Sequence, residues 1–215
     1  MTIKTKALLF DFDGTLVDTM EGFADIAGEV IHRFHPEISF DEARRKYLET
    51  SGVPFFQQLE IILPGNPTNS QKAAIFEETK KDGFFRSTFS DEVRYVITEL
   101  RNRGFIVGVS SNNFQYLIEQ FIAREGLQFD IVLGFQDGFE KGKQHFEYVI
   151  KHFNLQKEDL TFVGDSLKDA EKAVTNDIKF IGLCGTFTKD QFLHKYPGIV
   201  TIESLKELLS CVQLY

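Results

Sequence analysis

The 215-residue sequence has no tryptophan, two methionines and two cysteines. Two cysteines, Cys184 and Cys211, are too few for a disulfide framework and lack the spacing of a metal site, so reduced thiols are expected. No apolar run reaches the roughly 18 residues that a membrane-spanning helix needs. The N-terminal residues lead directly into a strand-like segment without a signal-peptide pattern. These absences predict a cytoplasmic protein without a membrane partner.

Basic residues are also in the minority, with 24 Lys and Arg against 32 Asp and Glu and a formal net charge of −8. A nucleic-acid partner would require a basic surface that displaces counterions, so we expect none. Phenylalanine is abundant, with 23 residues, and we interpret most of them as core. The length exceeds the roughly 100–150 residues of a usual domain, which predicts a large insertion or a second small domain. The sequence leaves open whether the protein is a monomer or a homodimer.

Short apolar segments with the composition of buried parallel strands recur along the chain. They are Ala7–Phe10, Phe105–Val109, Ile131–Leu133, Leu160–Val163 and Phe180–Leu183. Segments of helical periodicity lie between most of them. This alternation predicts an α/β fold with a Rossmann-like, doubly wound parallel sheet that has helices on both faces.

One long segment interrupts the alternation, because residues 19-89 contain no convincing strand pattern. Apolar residues between Phe23 and Phe34 recur at i, i+3, i+4 and i+7, which is the helical period. Ser39 begins a capping-box pattern that opens a second helix. We therefore predict a helical domain at 19-89, inserted after the first strand of a core domain formed by 1-18 and 90-215.

The first predicted strand ends in Asp11-Phe12-Asp13-Gly14-Thr15. Asp is a poor strand former, and two nearby carboxylates repel each other unless a cation or proton lies between them. Gly14 permits a sharp turn of the backbone. Since ligands bind at the carboxyl ends of the strands in doubly wound sheets, Asp11 and Asp13 are candidate functional residues.

A second acidic pair follows the strand Leu160–Val163, in the segment from Gly164 to Asp169. Three or four carboxylates that converge at one sheet edge predict a hard cation, and Mg²⁺ combines a few carboxylates with water and phosphate oxygens. The alternative is structural: Asp165 caps a helix and Asp169 is an exposed acid in its first turn.

Other polar residues are placed for a phosphate group. Ser110, Ser111 and Asn112 follow the strand Phe105–Val109 and offer hydroxyl and amide donors. Asn112 has an alternative role as the N-cap of the next helix. Lys141 and Lys143 lie just before the helix that precedes the second acidic pair.

These segments, in this order, resemble the four motifs of the haloacid dehalogenase-like superfamily along almost the whole chain. Asp-x-Asp-Gly-Thr from Asp11 resembles motif I and Ser110 resembles motif II. A lysine before a helix resembles motif III, and Gly164-Asp165-Ser166-x-x-Asp169 resembles motif IV. The helical insertion is similar to the C1-type cap domain of this superfamily.

The resemblance implies a role for each acidic residue. Asp11 would attack phosphorus as a nucleophile, and Asp13 would act as general acid and then general base. Mg²⁺ would be held by the Asp11 carboxylate, the Asp13 carbonyl and Asp165. Asp169 is assigned to the metal site, where it orients the lysine or a metal-bound water more than it coordinates directly.

The resemblance also implies a set of phosphate-binding residues. Ser110 is preferred over Ser111 because it directly follows the apolar run. The superfamily commonly has proline after the motif III lysine, whereas this sequence has glycine, so two lysines compete. Counting back from motif IV favours Lys141 over Lys143. Further candidate substrate-binding residues are Gly14, Thr15, Ser111 and Asn112.

The acid at position 13 excludes members that cleave carbon–halogen bonds, and it favours phosphomonoester hydrolysis or phosphomutase chemistry. The arrangement is similar to phosphoglycolate phosphatases and β-phosphoglucomutases. We expect a Mg²⁺-dependent phosphohydrolase that acts on a small phosphorylated metabolite through an aspartyl-phosphate intermediate. A phosphomutase and a non-catalytic binding protein on the same fold are the alternatives. The apolar segment Gly52–Phe56 favours the phosphatase, because a mutase cap often has Arg or Lys there.

Overall fold

The computed structural model describes residues 2–215, except for the side chain of Asp82. Its strands are β1 (Ile3–Lys4), β2 (Ala7–Phe10), β3 (Ile106–Phe114), β4 (Ile131–Phe135), β5 (Leu160–Gly164), β6 (Lys179–Leu183), β7 (Val200–Ile202) and β8 (Val212–Gln213). Six of them form a parallel sheet in the order β4-β3-β2-β5-β6-β7, and β1 pairs with β8 in a second, two-stranded sheet. The predicted α/β fold with a parallel sheet is confirmed.

Ten α-helices accompany the strands within residues 2–215. They are α1 (Met20–Phe34), α2 (Phe40–Glu49), α3 (Phe55–Ile62), α4 (Asn69–Phe84), α5 (Asp91–Asn102), α6 (Gln115–Glu125), α7 (Lys143–His152), α8 (Leu167–Thr175), α9 (Lys189–Lys195) and α10 (Leu208–Cys211). Short 3-10 helices lie at Lys157–Asp159 and Leu205–Glu207. None of the helices in the described part of the chain is both long and apolar enough to cross a membrane.

The chain divides into two compact units. One contains the residues up to Val17 together with Phe89–Tyr215, and the other is Asp18–Thr88. The second unit contains only helices among its described residues. Its core includes an aromatic group in which the Phe55 and Phe76 rings lie 4.1 Å apart and the Tyr47 ring lies 5.7 Å from that of Phe76. As predicted, Ser39 caps α2, and its side chain accepts a hydrogen bond from the Glu42 N–H.

The register of the main sheet decides which residues lie at its functional edge. Phe10 at the end of β2 pairs with Val109 of β3 on one side and with Val163 of β5 on the other. All three strands run parallel, so the residues that follow these positions emerge at the same edge. Asp11 and Ser110 therefore come next along two adjacent strands.

The structure differs from the predicted strands in two respects. β3 does not end at Val109 but continues through the polar residues to Phe114, with a shift of register between Ser110 and Phe114. The strands β1, β7 and β8 were not predicted, because segments of two or three residues are too short to show a periodicity.

Candidate active site

The turn after β2 places the first motif. The Asp11 N–H donates a 2.8 Å hydrogen bond to the Val163 carbonyl, which continues the ladder between β2 and β5 by one residue. The chain then turns at Gly14, whose φ of +79° is in the left-handed region that favours glycine. The N–H groups of Leu16 and Val17 both donate to the Phe12 carbonyl and close the turn.

Lys141 lies between two carboxylates from different elements. Its Nζ is 2.8 Å from Oδ1 of Asp11 and 2.7 Å from Oδ1 of Asp169, and all three side chains are buried. Lys143 is 70% exposed and its Nζ lies 3.8 Å from a carboxylate oxygen of Glu147 on the helix surface. Of the two candidate lysines, the structure brings only Lys141 to the acidic residues.

Three carboxylates could hold a metal ion together. Asp11, Asp165 and Asp169 are buried, and each offers an oxygen within 4.8 Å of the others. Thr186 Oγ1 donates to Oδ2 of Asp165 at 2.5 Å, and Thr15 Oγ1 lies 3.5 Å from its Oδ1. An all-oxygen set of this kind suits a hard cation such as Mg²⁺.

The structural alternative for the second acidic pair is wrong. The N-cap of α8 is Ser166, whose hydroxyl accepts from the Asp169 N–H and donates to Oδ2 of Asp169 at 2.5 Å. Asp169 itself is fully buried rather than exposed. A solvated helix end would leave this carboxylate in water, whereas here it is buried beside Lys141.

The electrostatics of the site also favour a cation. Burial raises the pKa of the Asp11 carboxyl well above its ordinary value, with Lys141 opposing the shift and Asp169 adding to it. Burial, together with the charge of Asp169, raises the pKa of Asp165 to about 7. Burial lowers the pKa of Lys141, but the charges of Asp11 and Asp169 outweigh that effect and raise it above its ordinary value. The raised pKa values of Asp11 and Asp165 show that Lys141 does not compensate for the burial and mutual repulsion of the carboxylates, and the donor set fits a divalent metal.

Asp13 is not one of the three carboxylates whose oxygens could share a metal ion. Its Oδ2 accepts a 2.6 Å hydrogen bond from the side-chain amide of Asn113, which lies in the segment where β3 shifts its register. Its carboxylate therefore points to a different partner from that of Asp11, as separate roles for the two residues would require.

The polar residues at the end of β3 have different partners. Ser110 Oγ lies 2.8 Å from Nδ1 of His145, and both residues are fully buried. Ser111 Oγ accepts from the Asn113 N–H at 3.0 Å. The N-cap of α6 is Phe114, so the interpretation of Asn112 as the cap of this helix is wrong. The helix begins later because β3 continues past its apolar run.

Three residues in these contacts were not predicted from the sequence, namely Asn113, His145 and Thr186. Asn113 directly follows the predicted Ser110–Asn112 segment, so the polar composition there could have indicated it. His145 and Thr186 lie in segments whose sequence has no motif, and only the packing of α7 and of the loop after β6 brings them to the site.

Comparison with known proteins agrees with the motifs found in the sequence. A family model described as "Haloacid dehalogenase-like hydrolase" matches residues 8–183. A phosphoglycolate phosphatase of Photorhabdus laumondii is 25% identical over 222 residues, covering 97% of this chain and 93% of that protein. The pyrophosphatase PpaX of Listeria innocua is 23% identical, with 99% of both chains covered. A haloacid dehalogenase-like family hydrolase from Streptococcus pneumoniae has the same fold, with a TM-score of 0.78, 17% identity and coverage of 96% and 97%.

Proposed function

The chain belongs to the haloacid dehalogenase-like hydrolases, and we propose that it is a Mg²⁺-dependent phosphatase that acts through an aspartyl-phosphate intermediate. One observation carries the proposal. A buried lysine, Lys141, pairs with Asp11 and Asp169 beside a third buried carboxylate, at the sheet edge where ligands bind. Such a site combines a nucleophile, a fixed positive charge and a set of metal-binding oxygens.

The proposed reaction has two steps at phosphorus. A carboxylate oxygen of Asp11 attacks the phosphorus, the bond to the ester oxygen breaks, and Asp13 gives its proton to the leaving oxygen. Asp13 then removes a proton from water, the resulting oxygen attacks the phosphorus, and the bond to Asp11 breaks. Inorganic phosphate leaves, and both residues return to their starting states.

The binding of the transferred group follows from the position of the donors. Lys141 would neutralise the phosphoryl oxygens, since it already lies within 2.8 Å of the attacking carboxylate. Ser110 and Ser111 would supply hydroxyl donors and Asn112 an amide, and Gly14 and Thr15 would contribute from the turn that follows Asp11. These assignments are proposals that single substitutions can separate.

Mg²⁺ would be held by Asp11 and Asp165 with the Asp13 carbonyl, and Asp169 would orient Lys141. When bound, the ion would supply positive charge between the carboxylates and the phosphate group. Thr186 and Ser166 would keep Asp165 and Asp169 oriented through the hydrogen bonds described above.

We propose a small phosphorylated metabolite as the substrate. The phosphoglycolate phosphatase and the pyrophosphatase among the relatives support a small anionic substrate and make phosphoglycolate and pyrophosphate the first compounds to assay. The helical unit, predicted at 19-89, would be the cap domain of the family, inserted in a core formed by 1-18 and 90-215. In capped enzymes such a domain selects the substrate and excludes water.

The test is phosphate release from p-nitrophenyl phosphate, phosphoglycolate, pyrophosphate and a hexose phosphate, with Mg²⁺ and with EDTA. We expect Mg²⁺-dependent release that disappears in Asp11→Asn. Mass spectrometry of acid-quenched enzyme should find one added phosphoryl group on Asp11. Isomerisation of the hexose phosphate without net release would instead indicate a phosphomutase. Folded protein that releases no phosphate from any compound would contradict the proposal.

A further inference from the structure

His145 lies in the first turn of α7, four residues after Lys141. Its side chain is fully buried, and its Nδ1 is 2.8 Å from the Ser110 hydroxyl on β3. Its ring also packs on that of Phe139, with the centroids 4.5 Å apart. The residue therefore joins the start of α7 to the strand that ends at the candidate site.

The backbone that carries Lys141 has few other restraints. Lys141 precedes α7, and Gly142, the N-cap residue, has φ +116° and ψ −132° and no side-chain cap hydrogen bond. The side-chain amide of Gln144 accepts a hydrogen bond from the Glu140 N–H and donates one to the Gly138 carbonyl. These bonds connect α7 to the loop before it, but Gln144 is exposed. Besides the contact of Lys141 itself with Asp11, the His145–Ser110 contact is a buried polar link between this turn and the sheet.

A polar ring at this position needs a reason beyond packing. A buried polar side chain costs free energy unless it forms a hydrogen bond, and phenylalanine would fill a similar volume without that cost. Burial and the nearby charges of Lys141 and Lys172 lower the pKa of His145 to about 3. The ring is therefore neutral at working pH, and its hydrogen bond to Ser110 does not change over that range.

We propose that His145 is a positioning residue, which holds the first turn of α7 on β3 through Ser110 and thereby keeps Lys141 Nζ between Asp11 and Asp169. The importance of that placement for catalysis rests on the proposed function. The placement itself is a property of the folded chain and can be measured without turnover.

Two substitutions separate the hydrogen bond from the packing. His145→Phe keeps the ring and removes its nitrogen atoms. His145→Asn removes the ring but keeps a polar atom at the position of Nδ1, within reach of Ser110. Ser110→Ala removes the same hydrogen bond from the other side, and it serves as the second variant if His145→Phe does not fold.

The first measurement is the acetylation rate of Lys141 by a succinimidyl ester in metal-free protein, read by mass spectrometry. Exposed Lys143 is the internal reference. We expect Lys141 to react about tenfold faster in His145→Phe and in Ser110→Ala, as the loss of a buried hydrogen bond allows. In His145→Asn its rate should stay close to that of the wild type.

The second measurement is the kinetics with p-nitrophenyl phosphate. His145→Phe should lower kcat/KM by about 10- to 100-fold, the usual effect of losing a partner that orients a site residue, while His145→Asn retains most of it. The reverse order, with His145→Phe near wild type in both assays and His145→Asn impaired, would show that the ring only packs and would overturn the proposal. Unchanged labelling of Lys141 in Ser110→Ala would also overturn it. If the wild type releases no phosphate, the proposed function fails, and the labelling rates still decide the role of His145.

Discussion

The side-chain amide of Asn113 donates a 2.6 Å hydrogen bond to Oδ2 of Asp13. Asn113 is almost completely buried, in the segment where β3 shifts its register. The side chain of Gln115 replaces the missing strand contacts there, since its amide bonds the Val132 carbonyl and the Gly134 N–H on β4. The irregular strand end thus fixes Asn113, and Asn113 fixes the direction of the candidate general acid.

Replacing Asn113 should therefore impair the proton transfer rather than the attack on phosphorus. Asn113→Ala is expected to lower kcat by about 10- to 100-fold for an alkyl phosphate, a part of the roughly 10²–10⁴ that general acid–base catalysis contributes. p-Nitrophenyl phosphate should be less affected, because its leaving group departs without a proton. The double variant Asp13→Asn with Asn113→Ala should have the same kcat as Asp13→Asn alone. An equal loss for both substrates would exclude this role.

Lys141 and Lys143 form a matched pair for the same substitution. Lys141→Met should lower kcat/KM by about 10²–10³, as the loss of a donor to the reacting group does. In EDTA it should also lower the free energy of unfolding by about 3 kcal/mol or more, because Asp11 and Asp169 lose their buried partner. Lys143→Met removes only an exposed contact and should change stability by less than about 1 kcal/mol. Kinetics measure the change in kcat/KM, and urea titrations measure the change in stability. Similar effects of the two substitutions would refute the assignment of Lys141 as the lysine of the site.

Removal of the metal should make stability depend on pH in a defined direction. The pKa of Asp165 is raised by burial from 3.8 to about 7 in the folded state. The folded state therefore binds more protons than the unfolded state between these values, and stability falls as the pH rises through about 7. Mg²⁺ should reverse that loss, so its effect on Tm should be larger at pH 8 than at pH 5.

Scanning calorimetry of the protein in EDTA and in Mg²⁺ at both pH values measures this effect. Asp165→Asn should remove the part of the pH dependence that Asp165 contributes and most of the stabilisation by Mg²⁺, and the raised pKa of Asp11 should leave a remainder. An equal increase of Tm by Mg²⁺ at pH 5 and pH 8 would show that the ion does not compete with protons at this cluster.

A side chain at Gly142, the residue after Lys141, should lower the stability of the protein. Gly142 has a φ of +116°, and a Cβ there would lie 3.3 Å from Cδ of Lys172. We expect Gly142→Ala to cost about 1–3 kcal/mol of stability. Gly142→Pro should cost more, since proline requires a φ near −65°. Gly22→Ala in α1 is the control, because nothing lies within 4 Å of its added Cβ and alanine favours a helix. Urea titrations of the three variants test this, and a tolerated proline would contradict the backbone conformation.

The sequence left open which of two lysines lies beside the acidic residues, and distances in the structure answer that question. The two lysines are two residues apart, and no local pattern distinguishes them. Lys141 is buried because it precedes α7 on the side that faces Asp11, whereas Lys143 begins the helix and points to solvent. The structure also explains why glycine follows Lys141 where the family commonly has proline. Gly142 has a backbone conformation that proline cannot adopt.

The sequence by itself determined the alternation of strands and helices, the helical insertion and the acidic residues at two strand ends. These features can be read from short segments of the sequence. Buried parallel strands require apolar runs, and carboxylates that directly follow such runs are easily recognised. Only the tertiary structure decided that His145 contacts Ser110, that Asn113 contacts Asp13 and that Thr186 contacts Asp165. The partners in these pairs are 35, 100 and 21 residues apart. Such contacts depend on the register of neighbouring strands and on the packing of helices against the sheet, which no local pattern records.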